Sequence, residues 1–517
     1  MSALDFEFPE IYNASEVLYH NVEEAGRADK VAVYWENVSY TYGQIAEMAS
    51  RIGNALRYLK IPLGSRIMML VMDTPQFPAV FFGCMRAGYI PIPTNTVLPP
   101  DNYEYFLNDS AAQAVIVSGP LYPKIAEIRA NCPELKHVIV IGGDFAEGTL
   151  DFAQWTAAST GVLKAAETKP DDQAFWLYSS GSTGFPKGVV HLHKDIRATT
   201  ETYAKQVLGI TEGDICFSAS KAFHAYGLGN NVTFPYSVGA STVFLTGRPT
   251  PDRVYAAIAK YKPTLFFTAP TLYTAMLAAY DGTDMSSIRL CVSAAEALQP
   301  EVYRQWKEKF GVDILDGIGS TEMLHIFISN RPGSVKPGSS GKPVPGYEAK
   351  IVGEDGEPVG QGEAGDLLIK GDSAAPFYWN KPEKTERTML GEWMFTGDRY
   401  YQDQDGDYFY EGRSDDMFKV SGQWVSPIEV ENTLMEHPSV FECAVIAAKD
   451  DKGLLRTKSF IILNEGHEGN DTLTAELQDF VKAKIAPYKY PRMVTYVDDL
   501  PKTATGKIQR FKLRDLS

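Results

Sequence analysis

Cysteine is sparse in this chain: five residues in 517, at positions 84, 132, 216, 291 and 443, with no CxxC pair. That spacing excludes a disulfide framework and points to free thiols in a reducing compartment. Long apolar runs are missing too; nothing approaches the roughly 20 residues that a membrane-spanning helix needs. Positive charge is short, with 49 Lys and Arg against 65 Asp and Glu and a net charge of −16. Such a surface repels nucleic acid and anionic membranes, so neither is expected as a partner. The eight histidines show no HExxH-type spacing, which gives no support to a zinc site. The opening residues MSALDFEFPE have no basic stretch followed by an apolar one, and the closing RDLS carries no retention or peroxisomal signal. A cytoplasmic location is the expectation. Internal repeats and low-complexity tracts are absent as well.

What is present is an ordinary folded composition, 44% hydrophobic and 22% charged. A chain of this length exceeds one hydrophobic core, so more than one domain is expected. Short β-branched runs at 66–72 (RIMMLVM), 114–117 (AVIV), 137–141 (HVIVI) and 264–268 (TLFFT) read as buried strands. Helical spacing of Ile45, Met48, Ile52, Leu56 and Leu59 marks a helix over 42–59, opened by a capping box of Thr41 and Gln44. The alternation predicts an α/β fold with largely parallel sheets. Residues 336–410 turn rich in Gly, Pro and Asp, which predicts a small antiparallel, barrel-like β region. A charged loop at 412–416 closes a large N-terminal domain, 1–414. Beyond it, 415–517 reads as a compact α+β domain. There Ser426-Pro427 opens a helix with Glu429 completing a capping box, followed by a strand at 443–447, a helix at 473–485 and a strand at 493–497.

The densest chemistry lies in YSSGSTGFPKG, 178–188, directly after the apolar strand AFWLY. Gly181, Gly184 and Gly188 let the backbone bend sharply and approach an anion. Ser179, Ser180, Ser182 and Thr183 add hydroxyl donors, and Lys187 adds a positive charge. This is a loop suited to phosphate, although it does not match GxxxxGK[ST].

With its ordered companions, this loop resembles the signature of the adenylate-forming superfamily, which contains acyl-CoA synthetases, peptide-synthetase adenylation domains and luciferases. The companions are DGIGSTE (316–322), FTGD (395–398), GRSDDMFK (412–419) and PKTATGK (501–507). The resemblance implies ATP, Mg²⁺ and coenzyme A as cofactor and co-substrates. It implies a nucleotide site built from Ser179, Ser180, Gly181, Ser182, Thr183, Gly184, Lys187, Ala295, Glu296, Asp316, Gly317, Thr321, Asp398, Arg413 and Lys507. Asp398 is an acceptor-only carboxylate suited to two ribose hydroxyls. Glu322 suits Mg²⁺ beside phosphate oxygens, and Thr321 suits the α-phosphate. Lys507 would lie between an attacking carboxylate and the α-phosphate, offsetting their repulsion. Asp415 is implied as the pivot of a mobile C-terminal domain, which would then present Lys419, Ser421 and Gly422 to coenzyme A. The family lysine in this motif is a target of acetylation, so acetylation of Lys507 is an implied regulatory modification.

The chain further resembles bacterial benzoate–CoA ligases, through FWLYSSGSTG, AYGLGN (225–230), DGIGSTEMLHIF (316–327), PYKYPR (487–492) and LPKTATGKIQRFKLR (500–514). The resemblance implies an acyl pocket of His224, Ala225, Tyr226, Gly227, Gly317, His325 and Ile326. A flat apolar slot with a few polar tips suits an aromatic or cyclic acid, benzoate or a substituted benzoate. His224 and Ala295 depart from the benzoate-ligase pattern, which carries Phe and Gly there. An arylpropenoate or medium-chain acyl-CoA synthetase stays open, as does a nucleotide-binding homologue without catalysis. The chemistry is compatible with a monomer or an oligomer.

Overall fold

The structure, a computed structural model, describes residues 6–143, 147–179, 186–414, 416–420, 423–450, 453–502 and 508–515. Two sheets with parallel cores carry the large domain. In the first, the strands Ile90–Pro93, Arg66–Leu70, Ala114–Ser118, His137–Ile141 and Leu150–Asp151 lie side by side, all parallel. Their near-continuous Val, Ile and Met runs suit strands covered on both faces. In the second, nine strands run in the order Lys342–Pro343, Ile326–Ser329, Ile314–Gly319, Leu290–Ser293, Leu265–Thr268, Ile215–Ser218, Ser241–Phe244, Val31–Trp35, Val38–Thr41. The six from Ile314–Gly319 to Val31–Trp35 are parallel, and the pairings at both edges are antiparallel.

The helix Tyr42–Tyr58 forms where its apolar stripe predicts, with the Thr41–Gln44 capping box in place. Its Ile45, Ile52 and Leu56 share one core with Val80 and Phe81 of the helix Gln76–Ala87 and with Ile67 and Met69 of the first sheet. All five cysteines are buried and unpaired. Among the described residues no helix is long and apolar enough to cross a membrane.

The antiparallel β region also forms, from Glu348–Val352, Gly365–Lys370, Met389–Leu390, Trp393–Gln402 and Tyr408–Arg413. Beyond it the C-terminal unit has a sheet of Val440–Lys449, Leu455–Leu463 and Met493–Tyr496, covered by the helices Pro427–Met435 and Asp471–Lys484. Val430, Leu434, Val445, Ile461, Leu477 and Val481 fill its core. One expected detail is corrected here. Ser426 Oγ does accept the Glu429 N–H at 3.2 Å, but the Glu429 carboxylate pairs with Lys489 instead of closing the capping box. A charge-assisted partner from a neighbouring segment outcompetes a local backbone N–H.

Candidate functional site

In an open sheet with parallel strands, ligands collect in the crevice beyond the carboxyl ends of the strands. Three such ends supply segments singled out above. The segment 219–227 follows Ile215–Ser218, and 294–296 follows Leu290–Ser293. Asp316 and Gly317 lie within Ile314–Gly319, and the turn 320–325 leaves that strand. The apolar strand Gln173–Ser179 pairs antiparallel with Lys187–Leu192, Ser179 opposite Lys187. The two strands that flank the glycine-rich segment therefore run antiparallel to each other. In that segment Ser180, Gly181, Ser182, Thr183 and Gly184 lie outside the described residues, as do Asp415, Ser421, Gly422 and Lys507.

The flanks of that segment meet the 316–322 motif. Lys187 Nζ lies 3.2 Å from Glu322 Oε1, and Ser179 Oγ lies 3.5 Å from the same oxygen. Tyr378 joins them: its hydroxyl donates to Glu322 Oε1 at 2.8 Å and accepts from Lys187 Nζ at 2.7 Å. The ammonium also sits over the Tyr378 ring, 3.9 Å from its centroid. Burial pushes the Glu322 carboxyl up, but the Lys187 charge and the Tyr378 hydroxyl prevail and hold it below its ordinary value. Glu322 is thus ionised and fixed in direction. A single ionised carboxylate beside a phosphate-suited loop matches the donor set that Mg²⁺ takes with phosphate oxygens. Tyr378 sits in FYWN, 377–380, and no pattern in the sequence marks it.

The nucleotide-side candidates divide into further groups. Asp398 and Arg413 face each other across paired strands, with Arg413 Nη1 3.2 Å from Asp398 Oδ1. Asp316 is buried, its Oδ2 accepting from Leu298 N–H at 3.4 Å, and burial pushes its carboxyl up to about 8. Glu296 accepts from the Thr271 hydroxyl at 2.9 Å. Ala295 has φ +80°, in the left-handed region that favours glycine. Lys419 lies 3.8 Å from Glu354 of the β region.

The acyl-side candidates cluster around one imidazole. His325 Nε2 donates to the Tyr226 carbonyl and to Asn230 Oδ1, both at 3.2 Å. Desolvation pushes His325 down to about 3, so the ring is neutral. Tyr226 donates its hydroxyl to the Val292 carbonyl at 3.0 Å, tying the short helix Ala225–Leu228 to a central strand. Ile326 is buried. A Cβ on Gly317 would lie 2.8 Å from the Ile328 carbonyl and 2.9 Å from Ile326 Cγ2, so no side chain fits there. Gly227 lies within the same helix as Ala225 and Tyr226. His224 stands just before it, its ring 4.5 Å from that of Phe223.

One acidic cluster lies elsewhere. Asp403, Asp405 and Asp407 bring carboxylate oxygens within 4.8 Å of one another. The Lys336 ammonium pairs with Asp403 and Asp405, and Asp403 also accepts the Asp405 and Asp407 N–H groups. The cluster is an Asp-rich turn whose charge Lys336 partly offsets.

Comparison with known proteins agrees with this geometry. The family described as AMP-binding enzyme matches residues 20–379, and the AMP-binding enzyme C-terminal domain matches 429–507. A benzoate–CoA ligase of Thauera aromatica is 49% identical, over 98% of this chain and 96% of its own. A 4-hydroxybenzoate–CoA/benzoate–CoA ligase of Rhodopseudomonas palustris is 44% identical, over 98% and 94%. Among solved structures, an anthranilate CoA ligase in complex with anthranoyl-AMP superimposes with a TM-score of 0.95 at 45% identity, covering 100% of this chain and 99% of that one.

Proposed function

The chain belongs to the AMP-binding enzyme family, and from that premise we propose that it is an AMP-forming ligase joining an aromatic carboxylic acid, benzoate or a substituted benzoate, to coenzyme A. The observation that carries this reading is the near-full-length identity of 49% to a benzoate–CoA ligase. In the first half-reaction a carboxylate oxygen attacks the α-phosphorus of ATP. The bond to the bridging oxygen breaks, and pyrophosphate leaves with the electron pair. In the second, the coenzyme A thiolate attacks the acyl carbon, the acyl–oxygen bond breaks, and AMP leaves.

Residue roles follow as proposals. Lys187 and the hydroxyls at 179–183 hold phosphate, and Thr321 bonds the α-phosphate. Asp398 takes the ribose hydroxyls, with Arg413 beside it. Asp316, Gly317, Ala295 and Glu296 border the adenosine. Glu322 would hold Mg²⁺, which when bound neutralises charge on the triphosphate. Lys507 offsets repulsion between the two reacting anions. With the division of domains set at 414/415, rotation about Asp415 would exchange Lys507 for the 419–422 segment and admit pantetheine.

In this reading Tyr226 and the neutral His325 would border an apolar slot for the acid, and the Ala295 methyl would narrow the region where the benzoate-ligase pattern has glycine. One methyl shifts selectivity by only about 1–3 kcal/mol. Steady-state rates over benzoate, its hydroxy and amino forms, cyclohexane carboxylate, cinnamate and short fatty acids test the reading. Fast turnover of fatty acids with indifference to the ring would refute it. Acid-dependent ATP–pyrophosphate exchange separates this enzyme from a nucleotide-binding homologue in one assay.

A further inference from the structure

The strand Lys187–Leu192 does more than pair with Gln173–Ser179. Successive side chains of a strand point to opposite faces, so Lys187, Val189 and His191 share one face. Both ends of that row grip the same turn. Lys187 Nζ lies 3.2 Å from Glu322 Oε1, and His191 Nε2 donates to the Thr321 carbonyl at 2.8 Å. Behind the imidazole stands Asp195, in the first turn of the helix His193–Thr199, its Oδ2 2.8 Å from His191 Nδ1 and 3.0 Å from Leu192 N. Both side chains are fully buried. The ring also stacks on Phe175 of the paired strand at 5.1 Å.

The proton inventory orients this pair. A carbonyl only accepts, so Nε2 must carry hydrogen. Nδ1 and Asp195 Oδ2 then share one proton between them, and Leu192 N–H saturates the same carboxylate oxygen. The imidazole cannot flip without aiming a carbon at the Thr321 carbonyl.

The turn so held is strained. Leu324, bulky and buried, has φ +65°. Its N–H donates to the same Thr321 carbonyl at 3.1 Å. A residue of this kind stays in the left-handed region only where its surroundings over-determine it. The turn carries Thr321 and Glu322 on one side of Leu324 and His325 on the other.

We propose that His191, oriented by Asp195, is a positioning residue for adenylation: it holds the strained 321–324 turn at a fixed distance from the strand Lys187–Leu192, so that Thr321 and Glu322 face the nucleotide Lys187 binds. This rests on reading Thr321 and Glu322 as adenylation residues. Neither His191 nor Asp195 touches substrate in this account.

Two substitutions of the imidazole separate its nitrogens. His191→Gln places an amide nitrogen near the position of Nε2 and keeps a donor for the Thr321 carbonyl. His191→Asn reaches only as far as Nδ1 and loses it. Expected for H191N is a fall of about 10- to 100-fold in kcat/KM for ATP in acid-dependent pyrophosphate exchange, the scale of a displaced catalytic group. The KM for the acid stays within about twofold, since His325, which ends the same turn, is held in place separately by Tyr226, Asn230 and the Phe234 ring. H191Q regains most of the loss. Equal loss in both variants, or parallel loss in the ATP and acid parameters, overturns the proposal in favour of a structural brace. If H191N does not fold, Asp195→Asn keeps the volume and loosens only the orientation; a fall confined to the ATP parameter supports the proposal, and an unchanged value overturns it. Glu322→Gln controls for the site reading. Full exchange in E322Q overturns that reading, whereas loss in E322Q with full exchange in H191N overturns this inference alone.

Discussion

Replacing Gly229 by alanine tests how tightly the acyl-side imidazole is held. Gly229 opens the helical segment Gly229–Thr233 with an ordinary helical φ of −57°, so alanine meets no backbone penalty. Sterically it has nowhere to go. A Cβ would lie 2.3 Å from His325 Cδ2, 2.6 Å from His325 Nε2 and 3.1 Å from Phe234 Cζ. The His325 ring cannot swing aside freely. It is bonded to Tyr226 and Asn230 and has the Phe234 ring at 4.3 Å and the Tyr203 ring at 5.4 Å. Forcing one extra methyl into such packing costs about 1–3 kcal/mol. Alanine in place of glycine in a helix returns about 0.5–1 kcal/mol. The net expectation is destabilisation by about 1–2 kcal/mol, with His325 pushed towards the acid slot. Losing about 1 kcal/mol of acid binding raises the acid KM roughly fivefold, while the KM for ATP holds. Gly213→Ala is the control. There a Cβ meets only Thr211 Oγ1 at 3.8 Å, and thermal unfolding should match the parent or improve on it. Thermal melts and a two-substrate kinetic grid for both variants decide the matter. If G229A melts with G213A and keeps the parental acid KM, the fixed-imidazole reasoning is wrong.

Other expectations concern the nucleotide side and pH. Tyr378→Phe keeps the ring under the Lys187 ammonium but removes two hydrogen bonds involving charged groups, each worth about 1.5–3 kcal/mol. Because Glu322 keeps Lys187 and Ser179, the loss falls at the low end, about tenfold in kcat/KM for ATP by pyrophosphate exchange with the acid KM unchanged; no change would detach Tyr378 from the site. Lys507→Ala should abolish adenylation yet spare thioester formation from supplied acyl-adenylate, and equal loss in both half-reactions would remove its assigned role. His193 is buried, accepts the Ala14 N–H at 3.0 Å through Nδ1, and is pushed down by desolvation from 6.5 to about 4. Its folded value lies below its unfolded one, so its contribution is full above pH 6.5 and is lost as pH falls towards 4. That loss is about 3 kcal/mol. The fall in melting temperature over this window should be shallower in His193→Asn, and identical slopes would contradict it.

How much of this was legible beforehand differs from element to element. The helix Tyr42–Tyr58 and its capping box were readable because cap, stripe and period are local facts. The buried strands were readable because a sheet covered on both faces demands continuous apolar residues. The spacing of Glu429 fits half of a capping box, yet Lys489, sixty positions away, takes the carboxylate instead. His191 did lie on the same strand face as Lys187, a period-two signal, but its partner carbonyl is 130 residues distant. Tyr378 had no signal at all.

Residue type and spacing set the chemistry on offer: a hydroxyl- and glycine-rich loop ending in lysine, ordered acidic and basic motifs, and an α/β alternation that brings strand ends to one edge. Those are properties of residue type and near-neighbour spacing, and they survive without coordinates. Packing alone chooses which groups restrain one another. Lys187 meets Glu322 and Tyr378, His191 meets Thr321, and Tyr226 and Asn230 orient His325, which burial keeps neutral. Each of these contacts joins segments brought together by sheet order and register, and the direction of a hydrogen bond or the burial of a charge exists only once those segments have packed.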